Sequence, residues 1–435
     1  MDTLSITEHS RIAIGDRCDP SRRVITEAQA LRLEALTKSL GIRAFDWGRR
    51  YVVPRQFVGV YPLGDVRIEV LPKIEGPNKS ESNGDTEYQR TSLLELLRMT
   101  RRLPIHKVGL AGLATRRSDL LEVYIHVFAD GLLAELQRGV IRRYRSVEQN
   151  LGVVRGRLLF RDQLRENSVH QERVFCRHQQ FMEDTLENQV LKCVSRLLLR
   201  QTRNADTQRL LKSSLMILDH VSDVAPSILA GKMLVVDRTI LRYKYLLEIA
   251  KLVLSGRAHQ ASAGDALQIS LVFDMNTLFE EAVAVAIRRG LRRERSISLK
   301  TQGPIKHLLR QGKTPKFRMK PDVTVLADGK PCLILDTKWK LLDHRHSHSG
   351  VSQTDLYQIY AYAKRYECRD VVLLYPWHRH LHNTEWQFAI EGSENDTDLP
   401  ARLWVKTVDL SQPEHLPTLM RELVLSLLAH NSQPA

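Results

Sequence analysis

The residues best able to do chemistry lie between Arg318 and Lys340, in R-M-K-P-D-V-T-V-L-A-D-G-K-P-C-L-I-L-D-T-K-W-K. A Pro-Asp pair opens one β-branched run, Asp328-Gly329 marks a turn, and D-T-K closes a second run. Asp336 and Lys338 are two apart, so they share one face of their strand. Asp322 joins them only in the right register. A two-residue turn on Asp328-Gly329 pairs 322 with 335 and sends the aspartates to opposite faces, whereas an odd-length loop with Gly329 left-handed brings them together. The odd loop is expected. Two carboxylates and a lysine on one face suit phosphodiester hydrolysis. Mg²⁺ is a hard cation held by one or two carboxylates, water and a phosphate oxygen. It stabilises charge on a phosphorane-like transition state and acidifies its bound water, while an ammonium orients or activates the nucleophile. Asp322 and Asp336 are the expected metal ligands and Lys338 the helper. An exposed hairpin with surface charges is the competing reading, because Asp and Lys are common at strand ends.

Three neighbouring features favour the site. In the helix starting near Asn276, about 100° per residue aligns Glu280 with Val283, Ala284, Ile287 and Leu291, and Glu281 with Arg288 and Arg292. A carboxylate on the apolar stripe is costly unless paired or bound to metal, so Glu280 is expected as a third acidic ligand or water-holding group. A helix-end carboxylate near the positive dipole is the alternative. Glu281 is expected in a surface ion pair. Next, Lys316, Arg318 and Lys320 alternate along the strand expected to end at Asp322, on the same face as that aspartate, and could lead a phosphate backbone into the site, although a charged edge strand explains them nearly as well. Finally, Gln358 and Tyr362 lie one turn apart on a second helix and could reach a phosphate or a metal-bound water. Packing alone also accounts for Tyr362. Asp355 falls in the first turn of that helix, with Ser352 or Thr354 as cap.

Other candidates are weaker. His344, His346 and His348, like His378, His380 and His382, are spaced two apart in loops, which suits neither helix-face zinc ligation nor H-E-x-x-H; surface histidines are expected. No Ser or Cys sits in a nucleophile elbow. With no G-x-x-x-x-G-K-[ST] loop and no G-x-G-x-x-G, nucleotide chemistry must come from a partner.

The 435 residues allow two or three domains. Lys+Arg 65 against Asp+Glu 50, net +15, points to a polyanionic partner. The five cysteines are widely spaced without a C-x-x-C pair, which supports neither a disulfide framework nor a zinc ribbon and suits a reducing cytoplasm. No run suits a signal peptide or a membrane span, so a protein that is neither exported nor membrane-bound is expected. The chain reads as α/β and α+β multidomain. Residues 1–92 read as a β-rich domain whose Gly-, Asn- and Ser-rich end, 75–92, reads as a flexible linker. Residues 93–265 form a helical, Arg-rich middle region, and 266–435 an α/β unit. Residues 138–165 hold eight arginines against Glu148 and Asp162 alone. Internal ion pairs or a solvated helix face would account for them, as would phosphate contacts or a protein interface.

Taken together, F-D-M-N-T-L-F-E-E (273–281), P-D (321–322), D-T-K-W-K (336–340) and D-L-Y-Q-I-Y-A-Y-A (355–363) resemble the PD-(D/E)xK nuclease domain of the McrC family, the endonuclease subunit of the McrBC modification-dependent restriction system. F-V-G-V-Y-P-L-G-D-V-R-I-E-V-L-P-K-I (57–74), E-Q-N-L-G-V-V-R-G-R-L (148–158) and C-R-H-Q-Q-F-M-E-D-T-L-E-N-Q (176–189) resemble the upstream parts of the same family. The resemblance implies a Mg²⁺-dependent endonuclease for double-stranded DNA, with antiviral defence as its setting. It implies a McrB-like AAA+ GTPase hexamer as partner, whose hydrolysis this chain stimulates, whose own domain reads 5-methylcytosine, and on whose ring the β-rich residues 1–92 would dock. The family's catalytic pattern falls on Asp322, Asp336 and Lys338, with Glu280 and Gln358 in support. Two other readings remain open: a stand-alone nuclease similar to RecB, and a non-catalytic activator or scaffold of an AAA+ ring.

Overall fold

Six strands form the sheet that carries the Asp322–Lys340 segment, in the spatial order Ile297–Thr301, Val323–Ala327, Lys330–Thr337, Asp370–Pro376, Ala401–Val408 and Glu385–Ile390. Lys330–Thr337, Asp370–Pro376 and Ala401–Val408 run parallel, with antiparallel pairs outside them. A parallel step needs a crossover, and the helix Gln353–Tyr366 supplies it between the first two. Ser352 is its cap, accepting from the Asp355 N–H at 3.2 Å. The whole of Asp370–Pro376 is buried, as expected for a central parallel strand. Ile334, Ile359, Tyr362, Tyr366, Val371, Leu373 and Val405 make the core between helix and sheet.

This is a computed structural model, and it describes residues 2–75, 82–102, 119–232, 234, 236–258, 269–343, 350–381, 385–390 and 401–431. The chain is mixed α/β with several sheets. It divides into two compact units, Met1–Arg117 with Val272–Ala435, and Ser118–Leu271. The two segments read separately from sequence, 1–92 and 266–435, fall mainly in the first of these.

In the first unit a second sheet has the order Asp2–Thr7, Val66–Leu71, Phe57–Pro62 and Leu271–Asp274. The alternation in V-R-I-E-V suggests one wet face, yet all of Val66–Leu71 is buried. Glu69 meets Arg90 at 2.6 Å and accepts from Ser5 Oγ at 2.6 Å, so its charge is paired inside. Arg90 belongs to the helix Ser82–Met99, which corrects the expected linker 75–92: its second half is helical. The apolar stripe Leu93, Leu94, Leu96 and Leu97 is continued towards the N-terminus by Gln89 and Arg90, whose polar ends reach Thr7 and Glu69. Composition does not show such contacts. Residues 76–81 lie outside the described residues.

The unit Ser118–Leu271 contains the expected helices Leu120–Gln137 and Leu186–Leu199, the latter capped by Thr185. It is not helical throughout. Arg143–Leu151 and Val174–Met182 pair antiparallel, joined by Arg157–Leu158, because these stretches lack the helical apolar period. Four arginines of the basic block form ion pairs within this unit: Arg138 with Glu135, Arg142 with Glu183, Arg143 with Glu187 and Asp237, and Arg165 with Asp162. Arg145, Arg155, Arg157 and Arg161 are exposed. Among the described residues, no helix is long and apolar enough to cross a membrane.

Candidate active site

The hairpin reaches its register by a route other than the odd loop. Ala327 pairs with Lys330, so Asp328 and Gly329 form a two-residue turn, with φ of 49° and 79°. Positive φ at both positions is what a type I′ turn requires, and Gly329 is left-handed as expected. The correction comes further along. Leu326 faces Pro331 while Val325 faces Leu333, leaving Cys332 as the extra residue of a β-bulge. Val323 then faces Leu335, and Asp322 falls opposite Asp336. The aspartates meet through a bulge in the strand.

Asp322 Oδ2 accepts from the Thr337 N–H and hydroxyl, each at 2.8 Å. Asp336 is 2% exposed, and its Oδ2 lies 2.6 Å from Lys338 Nζ. That contact is an ion pair without hydrogen-bond alignment, so this buried oxygen has charge compensation but no directed donor. Burial first, then the neighbouring Asp322, pushes the Asp336 carboxyl up to about 6, against the pull of Lys338. Glu280 is half-buried on the helix Met275–Gly290, and burial followed by Asp322 pushes it up to about 7, with Lys320 opposing. Burial and the charge of Asp322 thus make both Asp336 and Glu280 harder to ionise, a charge pattern that a cation would relieve. For Lys338, burial works against the charge, but Asp336, Asp355 and Asp322 outweigh it and hold the ammonium above its ordinary value.

Gln358 Oε1 accepts from Lys338 Nζ at 2.9 Å, while its Nε2 donates to the Tyr362 hydroxyl at 2.9 Å and lies 3.5 Å from Asp336 Oδ1. Gln358 and Tyr362 therefore do join the site, one turn apart as the spacing predicts. Tyr362 is buried, which pushes its hydroxyl up to about 12. Glu281 makes the expected surface ion pair, with Arg102 at 2.7 Å.

Other participants are not evident from sequence. Asp355 is buried and pairs with Lys340 at 2.8 Å and Lys338 at 3.8 Å, a second carboxylate behind the lysine. The two-residue spacing of Lys338 and Lys340 was a signal for it. Trp339, between those lysines, is buried against Phe279, with ring centroids 5.5 Å apart, and donates its indole N–H to both Glu8 oxygens at 3.0 Å. It thereby fixes the D-T-K-W-K segment to the helix bearing Glu280 and to the end of the first strand. Nothing in the local sequence announces Glu8.

Lys316, Arg318 and Lys320 do not alternate along Asp322's own strand, which corrects the expectation. Lys316 and Arg318 lie on Thr314–Met319, which among the described residues pairs only with Lys306–Gln311 in a separate two-stranded ribbon, and Pro321 interrupts the chain before Val323. All three are exposed, and Lys320 is the one whose charge reaches Glu280. His378 is not a surface residue: it is buried, with Nε2 2.7 Å from the Leu342 carbonyl. His344, His346, His348 and His382 lie outside the described residues. Among the described residues, no group of three or more His, Cys, Asp or Glu side chains is placed to hold a metal ion. Asp322 and Asp336 could act as a two-carboxylate site, with the undirected Asp336 Oδ2 as the oxygen most in need of a cation. That donor set fits Mg²⁺, which fills its remaining positions with water and phosphate.

The fold has solved relatives. A chain from the refined half-complex of a tetradecameric assembly of Thermococcus gammatolerans McrB AAA+ hexamers with bound McrC superposes with a TM-score of 0.70 at 21% identity, covering 97% of this chain and 100% of that one. A chain from the cryo-EM structure of the Thermococcus gammatolerans McrBC complex gives 0.52 at 22% identity, over 66% and 88% of the two chains. At such identities the likeness shows a shared fold. No curated protein matches. The sequence model for the family described as McrBC 5-methylcytosine restriction system component matches residues 52–376, which takes in every residue of the site except Glu8. The chain belongs to the family of McrBC 5-methylcytosine restriction system components.

Proposed function

We propose that this chain is the McrC-type nuclease subunit of a modification-dependent restriction complex, its C-terminal portion a PD-(D/E)xK domain that hydrolyses phosphodiesters of double-stranded DNA. The observation that carries the reading is the bulged hairpin that sets Asp322 opposite Asp336, with Lys338 Nζ 2.6 Å from Asp336 Oδ2. Asp322 and Asp336 would hold Mg²⁺, which when bound neutralises charge developing on the phosphate and acidifies water. Lys338, kept charged by three aspartates and aimed by Gln358, places an ammonium where the attacked phosphate must sit. Glu280, with a pKa raised to about 7, is suited to hold a water and accept its proton. Tyr362 fixes Gln358 from the next turn. Lys320, with Lys316 and Arg318 beyond it, leads the DNA backbone towards the hairpin.

The partner in this reading is a McrB-like AAA+ GTPase hexamer, which supplies the nucleotide chemistry and the recognition of modified cytosine, and whose hydrolysis this chain stimulates. The family membership and the complexes in which the structural relatives were solved support it. The test is Mg²⁺-dependent cleavage of methylated and unmethylated plasmid by the chain alone and with its partner and GTP. Cleavage of methylated DNA only in the full mixture is the expected result. Efficient cleavage by the chain alone would instead make it an autonomous nuclease, and none under any condition would leave an activator of the ring.

A further inference from the structure

The ribbon Lys306–Gln311 and Thr314–Met319 has a composition that the catalytic site does not explain. From Ile305 to Lys320 the chain carries Lys306, Arg310, Lys313, Lys316, Arg318 and Lys320 and not one Asp or Glu. Among the described residues the ribbon pairs with no other strand, and every residue from Leu308 to Arg318 is exposed. Three of those residues are large and apolar: Leu308, Leu309 and Phe317, the last 69% exposed. Phe317 also has φ of 55°, and it interrupts the ladder between the pairs His307 with Arg318 and Leu309 with Lys316. A bulky residue is held in that left-handed region at a steric cost, and here its ring is left largely in solvent.

The base of the ribbon, in contrast, is firmly attached. Lys306 Nζ donates to the Arg365 carbonyl at 3.0 Å and lies 4.9 Å above the Tyr366 ring. Arg365 Nε donates to the His307 carbonyl at 2.9 Å, and the Tyr366 hydroxyl donates to the Pro304 carbonyl at 2.5 Å. These anchors sit at the end of the helix whose Gln358 and Tyr362 reach the site. The ribbon is therefore held on the element that aims Lys338, and its second strand runs directly on to Asp322.

A cationic two-stranded ribbon without a single acid is complementary to a polyanion, and a groove of duplex DNA admits a β-ribbon. Exposed Phe and Leu on a DNA-facing element act as wedges between base steps, unstacking them. We propose that this ribbon is a duplex-gripping arm: its cations hold phosphates on either side of the scissile position, and Phe317 inserts at a base step beside it. The proposal rests on the nuclease reading above for its substrate. It extends the lead-in of Lys316, Arg318 and Lys320 to the whole ribbon, with Arg310 and Lys313, and gives Phe317 a defined role.

The test uses the full-length chain and a fluorescein-labelled duplex in Ca²⁺ without Mg²⁺, so that binding is read without cleavage. The quadruple variant Arg310→Ala, Lys313→Ala, Lys316→Ala, Arg318→Ala should weaken binding at every duplex sequence and flatten the salt dependence, by about one unit of slope per lost phosphate contact. Phe317→Ala should leave the slope unchanged, weaken binding by roughly 10-fold, and abolish the fluorescence rise of a 2-aminopurine placed at the wedged step. Unchanged binding and slope in the quadruple variant would overturn the arm, and a retained 2-aminopurine signal in Phe317→Ala would overturn the wedge. Should the quadruple variant lose only assembly with the AAA+ partner, the ribbon would be a protein-docking element and the proposal would fail. All substituted residues are exposed, so unchanged melting of each variant checks its fold. Because binding is scored separately from cutting, a wild-type chain that binds through the ribbon but never cuts, even with the AAA+ partner, GTP and Mg²⁺, would count against the nuclease reading and leave the arm standing.

Discussion

Glu8 accepts the indole N–H of Trp339 with both oxygens at 3.0 Å, joining two residues 331 positions apart. The carboxyl also accepts from the Lys73 N–H at 3.1 Å, and burial pushes its pKa up to about 7. Trp339 sits between Lys338 and Lys340, so the residue that follows the first strand helps to place the lysine of the candidate site.

A pH dependence of stability follows. A carboxyl whose folded pKa lies above its unfolded value near 4.5 favours the folded state at low pH, and loses that contribution as pH rises from 4.5 through about 7. The loss across this window amounts to roughly 3 kcal/mol. Glu8→Gln removes the titration and keeps an acceptor for the indole. Its melting temperature should exceed that of the wild type by more at pH 8 than at pH 5. An offset independent of pH would show that Glu8 does not titrate in this range.

The adjacent glutamates 280 and 281 should behave differently. Glu280 faces Asp322 and Asp336, whereas Glu281 pairs with Arg102 across an exposed surface at 2.7 Å. Glu281→Gln should cost less than about 1 kcal/mol and leave cleavage unchanged. Glu280→Gln should reduce the rate of cleavage by roughly 100-fold. Equal effects of the two substitutions on cleavage would remove Glu280 from the site.

Gly329 should be sensitive for reasons of backbone alone. With φ of 79° and open space where a Cβ would sit, its replacement by Val is opposed by the left-handed backbone rather than by any contact at Cβ. The expected cost is about 1 to 2 kcal/mol in denaturant unfolding, with cleavage retained where the variant is folded. A fully stable Gly329→Val would show that the turn is not type I′.

The site was legible to the extent that its chemistry is local. Asp336 and Lys338 share a strand, Gln358 and Tyr362 share a helix face, and Glu280 lies on an apolar stripe; each of these follows from a period of two or 3.6. Asp322 does share a face with Asp336 as expected, but through a bulge and not an odd-length loop. A bulge at Cys332 changes register as an odd loop would, and no residue type marks a bulge as clearly as Asp-Gly marks a turn. The helix from Ser82, the strands at 143–151 and 174–182, and the partnership of Glu8 with Trp339 depend on contacts between distant segments, which periodicity does not encode. The ribbon was half legible: its cations were, but its separation from the Asp322 strand was not.

The most direct measurement is DNA cleavage by Asp336→Asn in the complete mixture of chain, AAA+ partner, GTP and Mg²⁺, with assembly and GTP hydrolysis followed in the same samples. Loss of the buried carboxylate should reduce cleavage by at least about 100-fold while assembly and stimulated GTP hydrolysis stay at wild-type levels. Cleavage by Asp336→Asn at the wild-type rate would contradict the assignment of the catalytic centre to the Asp322, Asp336 and Lys338 face.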